Sequence, residues 1–141
     1  MANYYSCTRT NYFRVTDEAK YSELFSHLVG DEDCVSDFSK EVDGITLHGF
    51  GCESSIQVIP MDENPDGAED WDDDFDGFLK ELQKILPDNE AFIFTEVGHE
   101  KLCYLVGYSL IVTRNEIKSI DINDDAVELA RKMLNDETFT A

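Results

Sequence analysis

The sequence predicts an α+β fold, a two-layer sandwich in which a mostly antiparallel sheet carries helices on one face, and two stretches bear most of that expectation. Between residues 91 and 122, apolar and aromatic runs at 92–94, 102–112 and 117–122 are broken by Val97-Gly98-His99-Glu100-Lys101 and Thr113-Arg114-Asn115-Glu116. That is the pattern of a three-stranded antiparallel meander. Phe75, Phe78, Leu79, Leu82, Ile85 and Leu86 recur at helical spacing and stop at Pro87, the clearest helical stripe in the chain. Single helices interleaved with runs of strands, in the predicted order β-α-β-β-α-β-β-β-α, build such a two-layer arrangement.

In chain order, residues 12–15 read as a first strand, with Thr16 placed to cap the helix that follows. Tyr21, Leu24, Phe25 and Leu28 share one face of that helix. Asp17 and Glu18 sit in its first turn, where carboxylates suit the helix dipole, and Gly30 ends it. Residues 31–40 are polar and carry no clear period. Residues 45–50 and 55–59 read as short strands, and Gly49-Phe50-Gly51 permits a tight turn or bulge between them. Residues 60–71, rich in Asp, Glu, Asn, Pro and Gly, cannot bury a core and form an exposed acidic loop. After the meander, Asn123 caps a last helix with Ala126 or Val127, Ala130 and Met133 or Leu134 inward and a Glu128–Lys132 pair one turn apart. Residues 136–141 fray.

At 141 residues, 1–141 is expected to be a single domain. A chain of this length buries roughly two thirds of its unfolded surface, so it needs no disulfide or metal staple. Cys7, Cys34, Cys52 and Cys103 are irregularly spaced. The first residues carry neither a basic nor an apolar leader segment, and no window has the length of a membrane span. A reduced, cytoplasmic protein is the expectation. Eleven Lys and Arg stand against 31 Asp and Glu, a net charge of −20. Such a surface repels phosphate backbones and anionic membranes, which argues against direct nucleic-acid or membrane binding and toward a basic protein partner. The pattern does not define an oligomeric state.

Asp62, Glu63, Asp66, Glu69, Asp70, Asp72, Asp73, Asp74 and Asp76 follow one another without a basic residue, and Trp71 stands among them as a potential binding anchor. In the plain reading this is a solvated loop running into a helix N-terminus. In the sharper one these carboxylates, with Glu81, Asp121, Asp124, Asp125 and Glu128, imitate a phosphate array and occupy the basic groove of a nucleic-acid-processing protein. Asp72-Asp73-Asp74-Phe75-Asp76-Gly77 opens like a calcium loop, but its twelfth position is Gln83, whose neutral amide cannot close the site. His48 with Cys52, and His99 with Cys103, have the spacing of zinc-ligand pairs or of a cysteine nucleophile with its base. Both pairs fall in or beside predicted strands, where residues four apart are about 13 Å apart. No nucleophile elbow, Walker loop or dinucleotide fingerprint is present. A protein without catalysis, cofactor or metal is therefore the leading expectation, and a metal- or cysteine-dependent enzyme built on His48, Cys52, His99 and Cys103 the alternative.

At Thr8-Arg9-Thr10-Asn11-Tyr12-Phe13-Arg14-Val15, Leu47-His48-Gly49-Phe50-Gly51, Leu86-Pro87-Asp88 and Gly98-His99-Glu100-Lys101-Leu102, the sequence resembles an uncharacterised family of small acidic proteins from conjugative and other mobile elements of Gram-positive gut bacteria. The resemblance implies a bacterial cytoplasmic setting and brings no catalytic residues with it. It directs the acidic-interaction reading toward a DNA-mimic or anti-restriction-type inhibitor encoded on mobile DNA.

Overall fold

The structure, a computed structural model, describes residues 4–31 and 34–141. Residues 1–3, and residues 32–33 within the polar stretch that carries no clear period, lie outside the described residues. The elements run β1 (Tyr5–Thr10), α1 (Glu18–Phe25), β2 (Leu28–Gly30), β3 (Ser36–Asp37), β4 (Lys40–Val42), β5 (Ile45–Leu47), β6 (Phe50–Cys52), β7 (Ile56–Val58), α2 (Phe75–Ile85), β8 (Ala91–Glu100), β9 (Tyr104–Thr113), β10 (Ile117–Asp121) and α3 (Ile122–Leu134). A six-stranded antiparallel sheet has the order β10-β9-β8-β1-β6-β3, and two short ribbons, β2-β7 and β4-β5, flank it. The α+β class and the meander are as expected. β8 and β9 pair along their whole lengths, from Ala91 opposite Thr113 to Glu100 opposite Tyr104.

The period of two along these strands sets the layers. Phe92, Phe94 and Glu96 of β8 share a face with Tyr108, Leu110 and Val112 of β9, and α1 and α2 close that face with Tyr21, Leu24, Phe78, Leu79 and Leu82. Phe13, Phe50, Phe78 and Phe92 are fully buried. Phe13 meets Phe92 edge-on with ring centroids 5.0 Å apart. Each such ring stabilises the fold by about 1.5–3 kcal/mol through burial, with a further contribution from the edge-to-face contacts.

Several local expectations are corrected. The first strand is Tyr5–Thr10 rather than 12–15, where only Phe13 bridges His48. Its apolar content is low because β8 and β6 flank it on both sides and its inward hydroxyls are satisfied: Thr8 donates to Ser54 O, and Thr10 accepts from Phe50 N–H. Helix α1 is capped by Asp17, which accepts from Lys20 N–H, while Thr16 donates backbone and hydroxyl hydrogens to Ile85 O and so ties α1 to the end of α2. The helix ends at Phe25, and Leu28 is buried as the first residue of a strand. Helix α3 is capped by Asp121, which accepts from Asn123 and Asp124 N–H; Asn123 instead donates its side-chain amide to Leu105 O.

Helix α3 also departs from the one-face arrangement. Gly107 alternates with Tyr108 and so points away from the core, and a Cβ placed there would lie 2.9 Å from Ile122 Cγ2. The first turn of α3 therefore rests on the second face of the sheet, and none of its residues is buried. Among the described residues no helix is long and apolar enough to cross a membrane.

Candidate partner-binding face

The acidic segment links β7, at the core layer, to the N-terminus of α2. Two of its carboxylates have structural duties. Asp73 Oδ1 accepts from Val58 N–H at 2.7 Å, and Asp74 caps α2 by accepting from Gly77 N–H. Asp74 N–H in turn donates to Val58 O, so the segment is stapled back onto β7 just before the helix begins. Asp62, Glu63, Asp66, Glu69, Asp70, Asp72, Asp73 and Asp76 are exposed, and Trp71 and Asp74 are half-buried. Among the described residues, none of the ion pairs involves a carboxylate of this segment. The chain thus presents a run of carboxylates on a fixed stem with no counter-charge among the described residues.

The remaining acids of the proposed array do not extend that surface. Glu81 is engaged by Lys84 and Lys20, and the hydrogen bond from Lys84, with the two ammonium charges, holds its carboxyl below the usual range. Asp121, which ends β10 and caps α3, and Asp124, Asp125 and Glu128 of α3 lie with that helix on the opposite side of the sheet. The calcium-loop pattern is consumed by α2, because Phe75 to Gln83 are already helical.

His48, Cys52, His99 and Cys103 do not converge. His99 stands opposite Tyr5, Cys52 opposite Thr8 and His48 opposite Phe13. Tyr5 and Phe13 are eight residues apart, roughly 26 Å at about 3.3 Å per extended residue, so His99 and His48 lie beside opposite ends of this stretch. Tyr5 and Thr8 also point to opposite faces, and Cys103 is exposed in the β8–β9 turn. Cys52 shares a cavity of about 390 Å³ with Cys7 and Cys34 rather than with either histidine. Among the described residues no group of three or more His, Cys, Asp or Glu is placed to hold a metal ion.

Two partly buried polar clusters, built around the buried Glu96 and His48, are not evident from motif spacing. Glu96 accepts hydroxyl hydrogens from Tyr4 (2.8 Å), Ser55 (3.1 Å) and Tyr108 (3.2 Å). Burial, then the hydrogen bond to Glu96 and its charge, push the Tyr4 phenol up to about 12. Tyr108 is raised likewise, by burial first and then by Glu96. The available signal was the alternation itself, since Phe92-x-Phe94-x-Glu96 puts the carboxylate on the core face. In the second cluster His48 Nε2 is 2.6 Å from Glu18 Oε2, its Nδ1 is 3.3 Å from Ser39 Oγ, and its ring stacks on Tyr21 at 4.1 Å. This resembles a serine–histidine–carboxylate line, but Ser39 donates its hydroxyl hydrogen to Asp37. The hydroxyl is therefore committed away from the imidazole, and the cluster reads as a structural tie among α1, β3 and the β5–β6 turn.

No family model matches the chain, and comparison with curated proteins and with solved structures likewise returns no match.

Proposed function

We propose that this is a non-catalytic interaction protein that engages a basic protein surface through the segment from Asp62 to Asp76. The observation that carries the reading is the set of exposed carboxylates on a stapled stem without a paired cation among the described residues. A surface of one sign steers and orients a complementary partner and repels nucleic acid itself. The specific form we favour is a DNA mimic, an anti-restriction-type inhibitor of a basic nucleic-acid-processing protein, in keeping with the resemblance to proteins of bacterial mobile elements. Asp73 and Asp74 hold the stem and the cap, so the partner is met by Asp62, Glu63, Asp66, Glu69, Asp70 and Asp72, with Asp76 and Trp71 at the margin.

The test is parallel capture from a bacterial lysate at low salt with the wild-type chain and with a D62N/E63Q/D66N/E69Q/D70N/D72N variant, which leaves both structural aspartates in place. Each exposed ion pair contributes about 0.2–1 kcal/mol, so losing six weakens binding by about sevenfold or more. Basic nucleic-acid-binding proteins should be retained by the wild type alone, elute steeply with salt and be competed by duplex DNA. Equal retention by both chains, or none by either, would exclude the acidic segment as the contact.

A further inference from the structure

Strands β4 and β5 form a ribbon outside the six-stranded sheet. Asp43 and Gly44, both at positive φ, make its tight turn, and its residues are exposed except Leu47, which is half-buried. With so little burial of its own, the ribbon is placed by what holds its base. Ser39 directly precedes β4 and His48 directly follows β5, so the register that pairs Lys40 with Leu47 sets Ser39 opposite His48. The backbone of His48 is fixed on its other side by Phe13, through His48 N–H to Phe13 O and Phe13 N–H to His48 O. Its ring, only 10% exposed, reaches across to Glu18 of α1.

The hydrogens at this base can be assigned one by one. Ser39 has a single hydroxyl hydrogen, and a 2.5 Å contact places it on Asp37 Oδ1. The Ser39 oxygen is then an acceptor only, and Gly49 N–H and His48 Nδ1 approach it, each at 3.3 Å. Nδ1 therefore carries a hydrogen. At 2.6 Å from Nε2, the Glu18 carboxylate also only accepts, so Nε2 carries one too. A histidine that donates from both nitrogens is an imidazolium.

The surroundings suit that charge. Among the described residues, the charged groups shown around the ring are Glu18 of α1 and, through Ser39, Asp37 of β3. Tyr21 of α1 lays its ring against the imidazole at 4.1 Å, and Phe13 stands at 6.1 Å. Burial, then the charges of Asp37 and Glu18, push the Tyr21 phenol up, so both carboxylates act at this place. Among the described residues no Lys or Arg pairs with Glu18 or Asp37.

We infer that His48 is a proton-operated clasp that, as the imidazolium, ties the base of the β4–β5 ribbon to α1. A neutral ring has one N–H, so on losing its proton His48 presents a bare nitrogen either to Glu18 or to Ser39, an acceptor against an acceptor. The clasp is closed in mild acid and opens as rising pH removes that proton. It is separate from the acidic segment between Asp62 and Asp76.

NMR at about pH 5.5 and about pH 8.5, values that bracket the range in which histidine changes charge, tests the clasp. Both ring nitrogens of His48 should bear hydrogen at the lower pH and only one at the higher. Over the same interval the exchange protection factor of the Gly49 amide, which rests on Ser39, should fall about tenfold, because the bond lost is charge-assisted. The His48 amide, bonded to Phe13, should keep its protection. E18Q changes a glutamate whose side chain is 58% exposed, so it keeps the fold and should flatten the response at Gly49. A His48 ring with a bare nitrogen at the lower pH overturns the inference. So does a Gly49 protection factor that is unchanged in the wild type, that falls equally in E18Q, or that falls together with that of the His48 amide.

Discussion

Tyr4, Tyr21 and Tyr108 are phenols that the fold keeps protonated. Burial is the first cause for each. Carboxylate charge adds to it, from Asp37 and Glu18 at Tyr21 and from Glu96 at Tyr4 and Tyr108. Tyr21 is the extreme case, because its hydroxyl is buried without a hydrogen-bond partner among the described residues. A group whose folded pKa is raised binds its proton longer in the folded state than in the unfolded one. Its stabilising effect is therefore complete below the unfolded value and is lost as pH rises through the folded value. For Tyr4 that window runs from 10.0 to about 12. Tyr21 and Tyr108 each make the stability fall by up to about 1.4 kcal/mol per pH unit inside their windows, whereas Tyr4, which is 36% exposed, contributes less because water screens its interaction with Glu96. We expect alkaline unfolding to be steep above pH 10, with a late step of tyrosinate absorbance that coincides with loss of near-ultraviolet circular dichroism. Y21F removes one such phenol and its unsatisfied hydroxyl together, and should shift the midpoint to higher pH. An unmoved midpoint would show that Tyr21 does not contribute to the transition.

Helix α2 depends on its first turn in a way its apolar stripe does not reveal. Asp74 satisfies Gly77 N–H, and the adjacent Asp73 satisfies Val58 N–H. D74A should cost about 0.5–2 kcal/mol, the usual range for a lost N-cap. D72A, with no such bond, should stay within about 0.5 kcal/mol of wild type. Urea unfolding of the two variants measures the difference, and equal destabilisation would remove the distinction between structural and free carboxylates. Long elements with a strong period were legible: the meander, and α2 ending before Pro87, follow from patterns that burial on one face enforces. Strand β1 was not, because Tyr5-Ser6-Cys7-Thr8-Arg9-Thr10 has little apolar content and is held in the sheet by its neighbours. The end of α1 was misplaced for a related reason. Leu28 continues the helical spacing of Tyr21 and Leu24, yet a residue can reach the same core from a strand, and pairing with Val58 decides for the strand. The side taken by α3 was hidden too, since it turns on the missing Cβ of Gly107 against Ile122.

At the scale of the whole molecule, charge was the most legible property and its arrangement the least. The net charge of −20 foretold an acidic surface, but not that Asp73 and Asp74 hold the stem, that Glu81 is neutralised by two lysines, or that the acids of α3 face the other way. Those distinctions follow from which backbone N–H groups need acceptors and from which side of the sheet a helix rests on, and neither is encoded in composition. The uncompensated remainder repels itself across the folded surface more than in an expanded chain. Salt shortens the range of that repulsion, from about 30 Å at 0.01 M to about 8 Å at 0.15 M. If screening relieves about 1–2 kcal/mol, the melting temperature of a domain this size rises by about 4–8 °C. Sodium chloride is the appropriate salt, because sulfate would stabilise by exclusion from the surface as well. Protein concentration must be held constant, since association also raises a melting temperature. The D62N/E63Q/D66N/E69Q/D70N/D72N variant should begin with a higher melting temperature at low salt and respond less to added salt, because six of the repelling charges are gone while both structural aspartates remain. Wild-type melting that is flat from low to physiological salt would mean that the carboxylates are spaced widely enough to be independent, and a variant with an unchanged salt response would place the repulsion elsewhere than in the segment from Asp62 to Asp76.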